Sequence, residues 1–325
     1  MCNKHQIISE NIAKEFLPKR PDTGHKYDFG HILVIGGSKQ YTGAPILAAE
    51  AALVVGSGIV SLAVPESIYA FTVVRVKPEI IVFSLPATSN GCISSIALDS
   101  LIEYIQKRNV DTICLGCGLS RDEDTKIFVN NFLKIIFSSY VKLNKEVNII
   151  IDADGFNLLE VENGIIKNLK NQEWRVILTP HTGEYKNLLK IDTEEWQKKL
   201  KNFDFCKEVE EFAKINKIVL VLKSAITTIS DGEYVFKTNT PNSALAKGGS
   251  GDVLAGIIAG LVHQVKNYNK TVINYRPALK SAVLGVYLHQ RTAGIGQQQK
   301  TSFCFTSSDI ITFLHFAISE LTDNV

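Results

Sequence analysis

The sequence lacks a strong imbalance of charge. Among 325 residues, 35 are basic and 33 are acidic, which gives a formal net charge of +2. Nucleic-acid-binding proteins usually carry a clear excess of basic residues, so the composition does not suggest nucleic acid as a partner. With 45% hydrophobic and 21% charged residues, the balance is that of an ordinary globular protein.

An uninterrupted apolar segment of membrane-spanning length is also missing. The N-terminal stretch "MCNKHQIISENIAKEF" has no apolar core of the signal-peptide kind. The longest apolar run, residues 46–65, is interrupted by Glu50 and by Gly56-Ser57-Gly58. This pattern predicts a helix, a glycine turn and a strand rather than a membrane span. We therefore expect a cytoplasmic protein with no membrane partner.

Cysteines are few and scattered. Six in a chain of this length are typical of reduced thiols and not of a disulfide-stabilised secreted domain. Cys114 and Cys117 form one CxxC, without a second pair or a nearby His-x-x-x-His, so the motif is poor evidence for zinc or redox chemistry. We interpret it as one buried core thiol and one loop thiol.

Two common nucleotide-binding motifs are absent. No G-x-x-x-x-G-K-[ST] occurs, which excludes a Walker A loop. The segments "GSGIVS" and "GCGLSR" each contain two glycines but lack the third glycine of a G-x-G-x-x-G fingerprint. A standard dinucleotide-binding dehydrogenase is therefore not indicated.

What the sequence does contain is an alternation of apolar, strand-length runs with helical patterns. The runs include "HILVIGG", "IVSLAVP", "DTICLG", "VNIIID", "RVILTP" and "KIVLVL". Because they are apolar throughout, both faces of the sheet should be covered. We predict a three-layer α/β fold, with a mostly parallel sheet flanked by helices on both faces. Residues 226–239 are predicted to form a hairpin at the sheet edge, and three helices are expected near 251–265, 276–293 and 307–321.

Polar residues follow five of the predicted strands. In open α/β sheets, ligands bind beyond the carboxyl ends of the strands, so these residues mark a candidate binding site. They are Gly36-Gly37-Ser38, Gly116-Cys117-Gly118, Asp152-Ala153-Asp154, Thr179-Pro180-His181 and Lys223-Ser224.

The segment "GGSGDVLAG" joins a glycine-rich turn to an apolar helix. Bare backbone N–H groups of Gly249, Ser250 and Gly251, together with the helix N-terminus, would make an anion site. Asp252 has two interpretations. It could complement the helix dipole, or it could accept a proton from a hydroxyl that attacks a phosphoryl group. The residues alone leave both open.

Two further strand ends carry ionisable groups. We expect Asp154 to cap the helix that follows it. Asp152 is either structural or close to the Mg²⁺ that accompanies a nucleotide. His181 is either a surface residue or a substrate contact, and the first turn after it, Thr182 to Tyr185, is expected to need no histidine as a cap.

Five segments together resemble a known family. "GGSKQYTGAPILAAEAALVVGSG", "DADGFNLL", "LTPHTGEYKNLL", "VLKSAITTI" and "NSALAKGGSGDVLAG" are similar to the ADP- or ATP-dependent NAD(P)H-hydrate dehydratases, which have a ribokinase-like fold. The combination of TPHxGE with GxGD is specific. The resemblance runs from about Lys26 to the last helix, which implies one domain over 26–325 after an N-terminal extension of residues 1–25.

The resemblance implies a repair reaction. Hydrated NADH or NADPH (the S epimer) would be dehydrated at the expense of ADP, with release of AMP and phosphate, and with Mg²⁺ accompanying the nucleotide. The segment "VGSGIVSLAVP" resembles bacterial members and favours ADP over ATP. Asp252 would be the base and would contact the substrate. The other implied dinucleotide contacts are Ala44, Gly118 and His181, and the implied nucleotide contacts are Lys223, Ser224, Ala225, Ile226, Thr227, Gly249, Ser250 and Gly251.

The resemblance also has departures and implied partners. The family's GPGLG-like turn reads "GCGLS", with Cys117 and Ser120 in place of proline and glycine, and its LKG reads "LKS", with Ser224. A homo-oligomer is implied, with a tetramer favoured. Because only about 25 residues precede the resemblance, we expect a separate epimerase to act in the same pathway.

Two other functions compete with this interpretation. A ribokinase-like kinase acting on a vitamin or a sugar alcohol would share Asp252 and the anion site, but it does not predict "TPHTGE". A non-catalytic dinucleotide-binding protein would not need an acid beside its phosphate site. A CxxC oxidoreductase is more remote.

Overall fold

The computed structural model describes residues 5–137, 146–159, 174–194, 196–197, 205–269 and 275–322. Ten strands are present in these ranges: β1 (His5–Ile7), β2 (His31–Ile35), β3 (Ile59–Pro65), β4 (Ile81–Leu85), β5 (Thr112–Leu115), β6 (Asn148–Ile151), β7 (Val176–Leu178), β8 (Val219–Leu222), β9 (Thr228–Ser230) and β10 (Val235–Lys237).

The helices are numbered in the same way, within the described residues. They are α1 (Glu10–Phe16), α2 (Gly43–Val54), α3 (Glu66–Val73), α4 (Leu98–Arg108), α5 (Glu123–Phe137), α6 (Asp154–Asn157), α7 (Thr182–Leu189), α8 (Cys206–Asn216), α9 (Ser250–Tyr268), α10 (Pro277–Cys304) and α11 (Ser307–Thr322). Two short 3₁₀ turns, Ser95–Ala97 and Ser243–Leu245, add to them. None of these helices combines the length and apolar character needed to cross a lipid bilayer.

The strands form one sheet in the order β1-β10-β9-β8-β7-β6-β5-β2-β3-β4. Neighbours are parallel except at β9, which is antiparallel to both β8 and β10. The mostly parallel sheet predicted from the apolar runs is therefore confirmed. The long run over residues 46–65 becomes the C-terminal part of α2, a turn at Gly56 (φ +112°) and then β3, as predicted.

The hairpin over residues 226–239 forms, but the prediction that it lies at the sheet edge was wrong. β1 pairs in parallel with β10, with His5 opposite Val235. α1 then packs over this end of the sheet, where the ring centroid of Phe16 lies 6.0 Å from that of Phe236 and 5.3 Å from that of Tyr275. The N-terminal residues thus contribute a strand and a helix to the same sheet and core. β1 escaped sequence analysis because it has three residues, two of them exposed.

Helices cover both faces of the sheet. Side chains of α1, α2, α9, α10 and α11 form the core on one face, and those of α4, α5, α7 and α8 form the core on the other. The backbones of α2 and α9 approach closely, since a Cβ on Gly256 would lie 2.1 Å from the carbonyl oxygen of Ala48. Only glycine permits this approach, which fixes the N-terminus of α9 at the carboxyl edge of the sheet.

Candidate active site

The first turn of α9 presents backbone donors. Gly249 is its N-cap, with φ +87°, and a Cβ there would lie 2.5 Å from Leu47 Cδ1. The N–H of Ser250 donates to the carbonyl of Lys247 at 3.2 Å, whereas those of Gly249 and Gly251 have no acceptor among the described residues. Two of the three predicted anion donors are therefore open, at the positive end of a helix dipole.

Ser250 is held by His289 of α10. The Nε2 atom of His289 lies 3.0 Å from the carbonyl oxygen of Ser250 and 3.1 Å from its hydroxyl. Burial lowers the pKa of His289 to about 4, so the neutral ring donates one N–H to this residue. His289 belongs to no local motif, which is why sequence analysis missed it.

A buried ion pair lies beside this helix end. Asp152, which follows β6, is 1% exposed, and its Oδ1 accepts hydrogen bonds from Lys223 Nζ at 2.5 Å and from Thr179 Oγ1 at 2.7 Å. Burial opposes the charge of Lys223, but the carboxylates of Asp152 and Glu184 outweigh it and raise its pKa. A Cβ on Gly251 would lie 3.0 Å from Lys223 Nζ. The ammonium therefore adds positive charge next to the open N–H groups.

Asp252 lies in the same first turn and is partly buried. Burial, and then the negative charge of Asp152, raise the pKa of Asp252 to about 6, against the opposing effects of a hydrogen bond with Cys117 and of Lys223. At neutral pH the carboxylate is mostly ionised and yet basic enough to take a proton. These are the properties of a general base.

The raised pKa of Asp252 predicts a pH-dependent effect on stability. Ionisation of a carboxyl whose pKa rises on folding, here from 3.8 to about 6, destabilises the fold above pH ~4. Asp252→Asn is therefore expected to be about 1–3 kcal/mol more stable than the wild type at pH 7. The gain in stability should vanish below pH ~4, where the carboxyl of Asp252 is protonated in both the folded and the unfolded state. Urea unfolding at the two pH values measures it.

Asp309 supplies the control for that measurement. Burial opposes its charge, but hydrogen bonds from Lys300 and Thr306 prevail and lower its pKa. Asp309→Asn should therefore lose stability at neutral pH. Equal shifts of the same sign in the two variants would contradict the electrostatic explanation.

The CxxC cysteines are both buried. Cys114 lies in the core strand β5 and Cys117 in the turn after it, as predicted, but both thiols are 0% exposed, and the burial of Cys117 was not predicted. The "GCGLS" turn folds inward because Gly116 (φ +130°) packs on the backbone of Asp152, where a Cβ would lie 1.8 Å from its carbonyl oxygen. The Sγ of Cys117 and carboxylate oxygens of Asp152 and Asp252 all lie within 4.8 Å of one another.

His181 is the N-cap of α7, so the expectation that this turn needs no histidine cap was wrong. Its Nδ1 accepts the N–H groups of Gly183 at 3.0 Å and Glu184 at 3.1 Å, and Glu184 Oε2 accepts the N–H of His181 at 2.7 Å. The spacing is that of a capping box, with histidine in the place of the usual serine or threonine. Burial and then Lys223 lower the pKa of His181, which keeps the ring neutral and Nδ1 available as acceptor.

Burial and the nearby Lys223 also change the pKa of Glu184 in the first turn of α7. Burial raises its pKa to about 7, against the opposing charge of Lys223 and the hydrogen bond from His181. Sequence analysis had assigned Glu184 only to the helix turn.

We expected Asp154 to cap the helix that follows it, but in the structure it does not. The N-cap of α6 is Ala153, with φ +48°, and Asp154 Oδ2 instead accepts the N–H of Ser120 at 2.9 Å. Ser120 has a φ of +68°, a left-handed conformation that glycine adopts without strain. Asp154, which follows β6, therefore holds the "GCGLS" turn that follows β5.

A cavity of about 630 Å³ opens beside the α9 N-terminus. His181 and Lys223 form a parallel β-bridge in its wall. The predicted residues that line it are His181, Lys223, Ser224, Ala225, Thr227, Ser250 and Gly251. Ile226 and Gly249 are not among them, although the Ile226 carbonyl accepts the Ser224 hydroxyl at 2.6 Å. The resemblance implies different ligands for His181 and Lys223, whereas in the structure the two residues are neighbours.

Ala44 and Gly118 form a second group. A Cβ on Gly118 would lie 3.1 Å from Ala44 Cβ, so the turn after β5 touches the first turn of α2. Gly118 adjoins Cys117, whose thiol approaches Asp252, and Asp252 adjoins Gly251 in the cavity wall. Asp252 is therefore connected to the Ala44–Gly118 pair through Cys117 and to the cavity through Gly251.

The side chains around Asp252 do not fit a protein-held Mg²⁺ site. Cys117, Asp152 and Asp252 are, within the described ranges, the group close enough to share one cation. Mg²⁺ prefers six oxygen ligands, but one member is a thiol, and Oδ1 of Asp152 is engaged by Lys223 and Thr179. No step of the chemistry below is assigned to a metal on these residues.

Comparison with known proteins places this geometry in a family. The sequence profile described as NAD(P)H-hydrate dehydratase matches residues 32–314. The chain belongs to the NAD(P)H-hydrate dehydratase family. It is 34% identical over 322 residues to a bifunctional NAD(P)H-hydrate repair enzyme of Moorella thermoacetica, and 33% over 318 residues to that of Dictyoglomus turgidum. These matches cover 98% and 97% of this chain, but it spans only 55% of each relative's length.

Solved structures show the ribokinase-like fold of this dehydratase family member. A ribokinase-like superfamily protein from Enterococcus faecalis matches with a TM-score of 0.75 at 24% identity, covering 99% of this chain and 98% of that one. An ADP/ATP-dependent NAD(P)H-hydrate dehydratase from Bacillus subtilis, co-crystallised with ATP/Mg²⁺, matches with a TM-score of 0.69 at 22% identity, covering 97% and 98%.

Proposed function

We propose that the protein dehydrates the S epimer of hydrated NADH or NADPH, with ADP as the phosphoryl donor, and thereby restores NAD(P)H. The observation that carries the proposal is the Asp252 carboxylate, whose pKa is about 6, at a helix N-terminus beside the Lys223 ammonium. A base and an anion site lie next to each other, which is the arrangement that phosphoryl transfer to a hydroxyl requires. Membership of the dehydratase family supports this choice of hydroxyl.

In the proposed reaction, Asp252 takes the proton of the ring hydroxyl as the hydroxyl oxygen attacks the terminal phosphorus of ADP. The bond from that phosphorus to the bridging oxygen breaks and AMP leaves. The ring C–O bond then breaks, phosphate departs, and loss of a ring proton restores the dihydronicotinamide. Gly249 and Gly251 N–H groups and Lys223 stabilise the charge of the transferring group.

We assign different ligands to the residues that line the cavity and to the Ala44–Gly118 pair. The adenine nucleotide occupies the cavity next to Lys223–Thr227, and its phosphates, rather than these side chains, would hold the Mg²⁺ that neutralises their charge. The hydrated ring lies on the Ala44–Gly118 side of Asp252, with His181 reaching the dinucleotide from the cavity wall. The approach of Asp252 to Cys117, next to Gly118, and its adjacency to Gly251 in the cavity wall support this division.

The decisive experiment incubates the protein with hydrated NADH and ADP and follows recovery of dihydronicotinamide absorbance. Formation of AMP and phosphate in equal amounts with NADH is expected. A stable phosphorylated product from a vitamin or a sugar alcohol would instead identify a kinase. Binding without turnover of any substrate would identify a non-catalytic dinucleotide-binding protein.

ADP is expected to support faster turnover than ATP. The hypothesis rests on the likeness of "VGSGIVSLAVP" to bacterial members of the family. Steady-state rates with each nucleotide at equal free Mg²⁺ measure the preference. A higher kcat/KM with ATP would reverse this part of the proposal.

His181→Asn is expected to raise KM for the hydrated dinucleotide by about tenfold, because a lost hydrogen bond to a substrate costs roughly 1–3 kcal/mol. Asparagine is itself a good N-cap, so α7 should keep its stability, which thermal unfolding would check. KM for ADP should change little. A selective rise in KM for ADP would show that His181 belongs to the nucleotide side of the cavity.

We further propose that the protein works in the cytoplasm as a homo-oligomer, with a tetramer favoured. An NAD(P)H-hydrate epimerase would supply the S epimer from the R epimer. The two relatives named above are bifunctional repair enzymes, which supports coupling of the two activities. Light scattering of the purified protein tests the oligomeric state.

A further inference from the structure

We propose that Cys117 is a positioning residue for Asp252: its thiol donates a hydrogen bond to the carboxylate, holds it toward the α9 N-terminus and favours its ionised form. The catalytic consequence rests on the proposed function, whereas the hydrogen bond itself does not. Nothing in the common reaction scheme of the family requires a thiol here, because the family's turn carries proline at this position.

Geometry brings the two groups together from different elements. Cys117 lies in the turn after β5, and Asp252 lies in the first turn of α9. The Cys117 Sγ and an Asp252 carboxylate oxygen lie within 4.8 Å of each other, and the thiol lowers the pKa of Asp252 against the effect of burial. Since Cys117 is 0% exposed, water does not compete for this contact.

The protonation states make the thiol the donor. Contact with Cys114, burial and the nearby carboxylates raise the pKa of Cys117 well above its usual value. The sulfur therefore keeps its proton over the whole range in which Asp252 ionises. A thiol has one S–H, and a carboxylate is a stronger acceptor than the sulfur of Cys114. The proton of Cys117 is thus directed at Asp252.

The other charged groups around Asp252 explain why this bond matters. Asp152 and Asp154 oppose its ionisation, while Lys223 favours it. Lys223, however, is bound directly to Asp152 at 2.5 Å and is shared between the carboxylates. The Cys117 thiol is a second stabilising contact, and it comes from the turn after β5 rather than from the strand end that carries Lys223.

The test compares Cys117→Ala, Cys117→Ser and Cys114→Ala by the pH dependence of kcat/KM. Loss of the donor should move the acidic limb of Cys117→Ala to higher pH by about half to one unit. The hydroxyl of Cys117→Ser restores a donor, so its limb should stay at or below that of the wild type. Cys114→Ala removes an equally buried thiol without touching Asp252 and should leave the limb in place. An unchanged limb in Cys117→Ala, or the same shift in all three variants, overturns the proposal.

A second measurement does not depend on turnover. The infrared S–H stretching band of Cys117 is identified as the band that Cys117→Ala removes. In the wild type, this band should shift to lower frequency as the pH rises through about 6, where Asp252 ionises. In Asp252→Asn the band should not move with pH. If the band of the wild type does not move with pH, the proposed hydrogen bond between Cys117 and Asp252 is contradicted. This conclusion holds even if Cys117→Ala folds poorly. Absence of dehydratase activity with a pH-sensitive band would instead contradict only the proposed function.

Discussion

Asp252→Asn is expected to lower kcat by about 10²–10⁴-fold, the usual contribution of a general base. The amide cannot take the proton of the attacking hydroxyl, but the residue keeps its size and its place in the first turn of α9. The donors at Gly249 and Gly251 and the Lys223 ammonium are unchanged. ADP affinity, measured by calorimetry, should therefore stay within about threefold of the wild type.

Asp309→Asn is the matched control, because Asp309 also lies in the first turn of a helix but outside the candidate site. Its turnover should equal that of the wild type. A kcat of Asp252→Asn within tenfold of the wild type would remove Asp252 from the role of base. A large loss of ADP affinity would point instead to a structural role in the anion site.

Lys223→Met is expected to cause the largest loss of stability. It leaves the Asp152 carboxylate, 1% exposed, without its ion-pair partner, and breaking a buried pair costs about 3–5 kcal/mol. The exposure of part of the lysine side chain puts the expected value at the lower end of this range. Chemical denaturation at neutral pH measures it. Turnover should fall as well, since the ammonium next to Gly251 is lost.

The double variant Lys223→Met/Asp152→Asn separates the two effects. Removing both charges takes away the uncompensated carboxylate, so most of the lost stability should return. Activity should not return with it, because the cation beside the anion site is still missing. Recovery of both together would show that Lys223 acts only through the fold.

The sequence predicted the sheet because its strands are apolar on both faces, a pattern that burial alone imposes. It also predicted the strand ends as the site, since parallel strands bring their carboxyl ends to one edge. Of these strand-end residues, His181, Lys223 and Ser224 line one cavity. These features depend on local composition and on a general rule of α/β folds, so no knowledge of tertiary contacts was needed.

Other features depend on contacts between distant residues. His181 acts as a cap through the rare use of histidine in a capping box, and His289 reaches Ser250 from a helix 39 positions away. The burial of Cys117 follows from the approach of its turn to the Asp152 backbone. Such contacts leave no periodic signal in the sequence.

The parallel pairing of β1 with β10 bears on how the protein is made. β1 finds its partner 230 positions later, at His5 opposite Val235. At about 5–20 residues per second of synthesis, the N-terminal strand waits on the order of 10–50 seconds before that partner exists. During this interval α1 also lacks Phe236 and Tyr275, against which Phe16 packs. β1 and α1 therefore become native only after β10 and Tyr275 have been made, and Phe16 stays exposed to chaperones in the nascent chain until then.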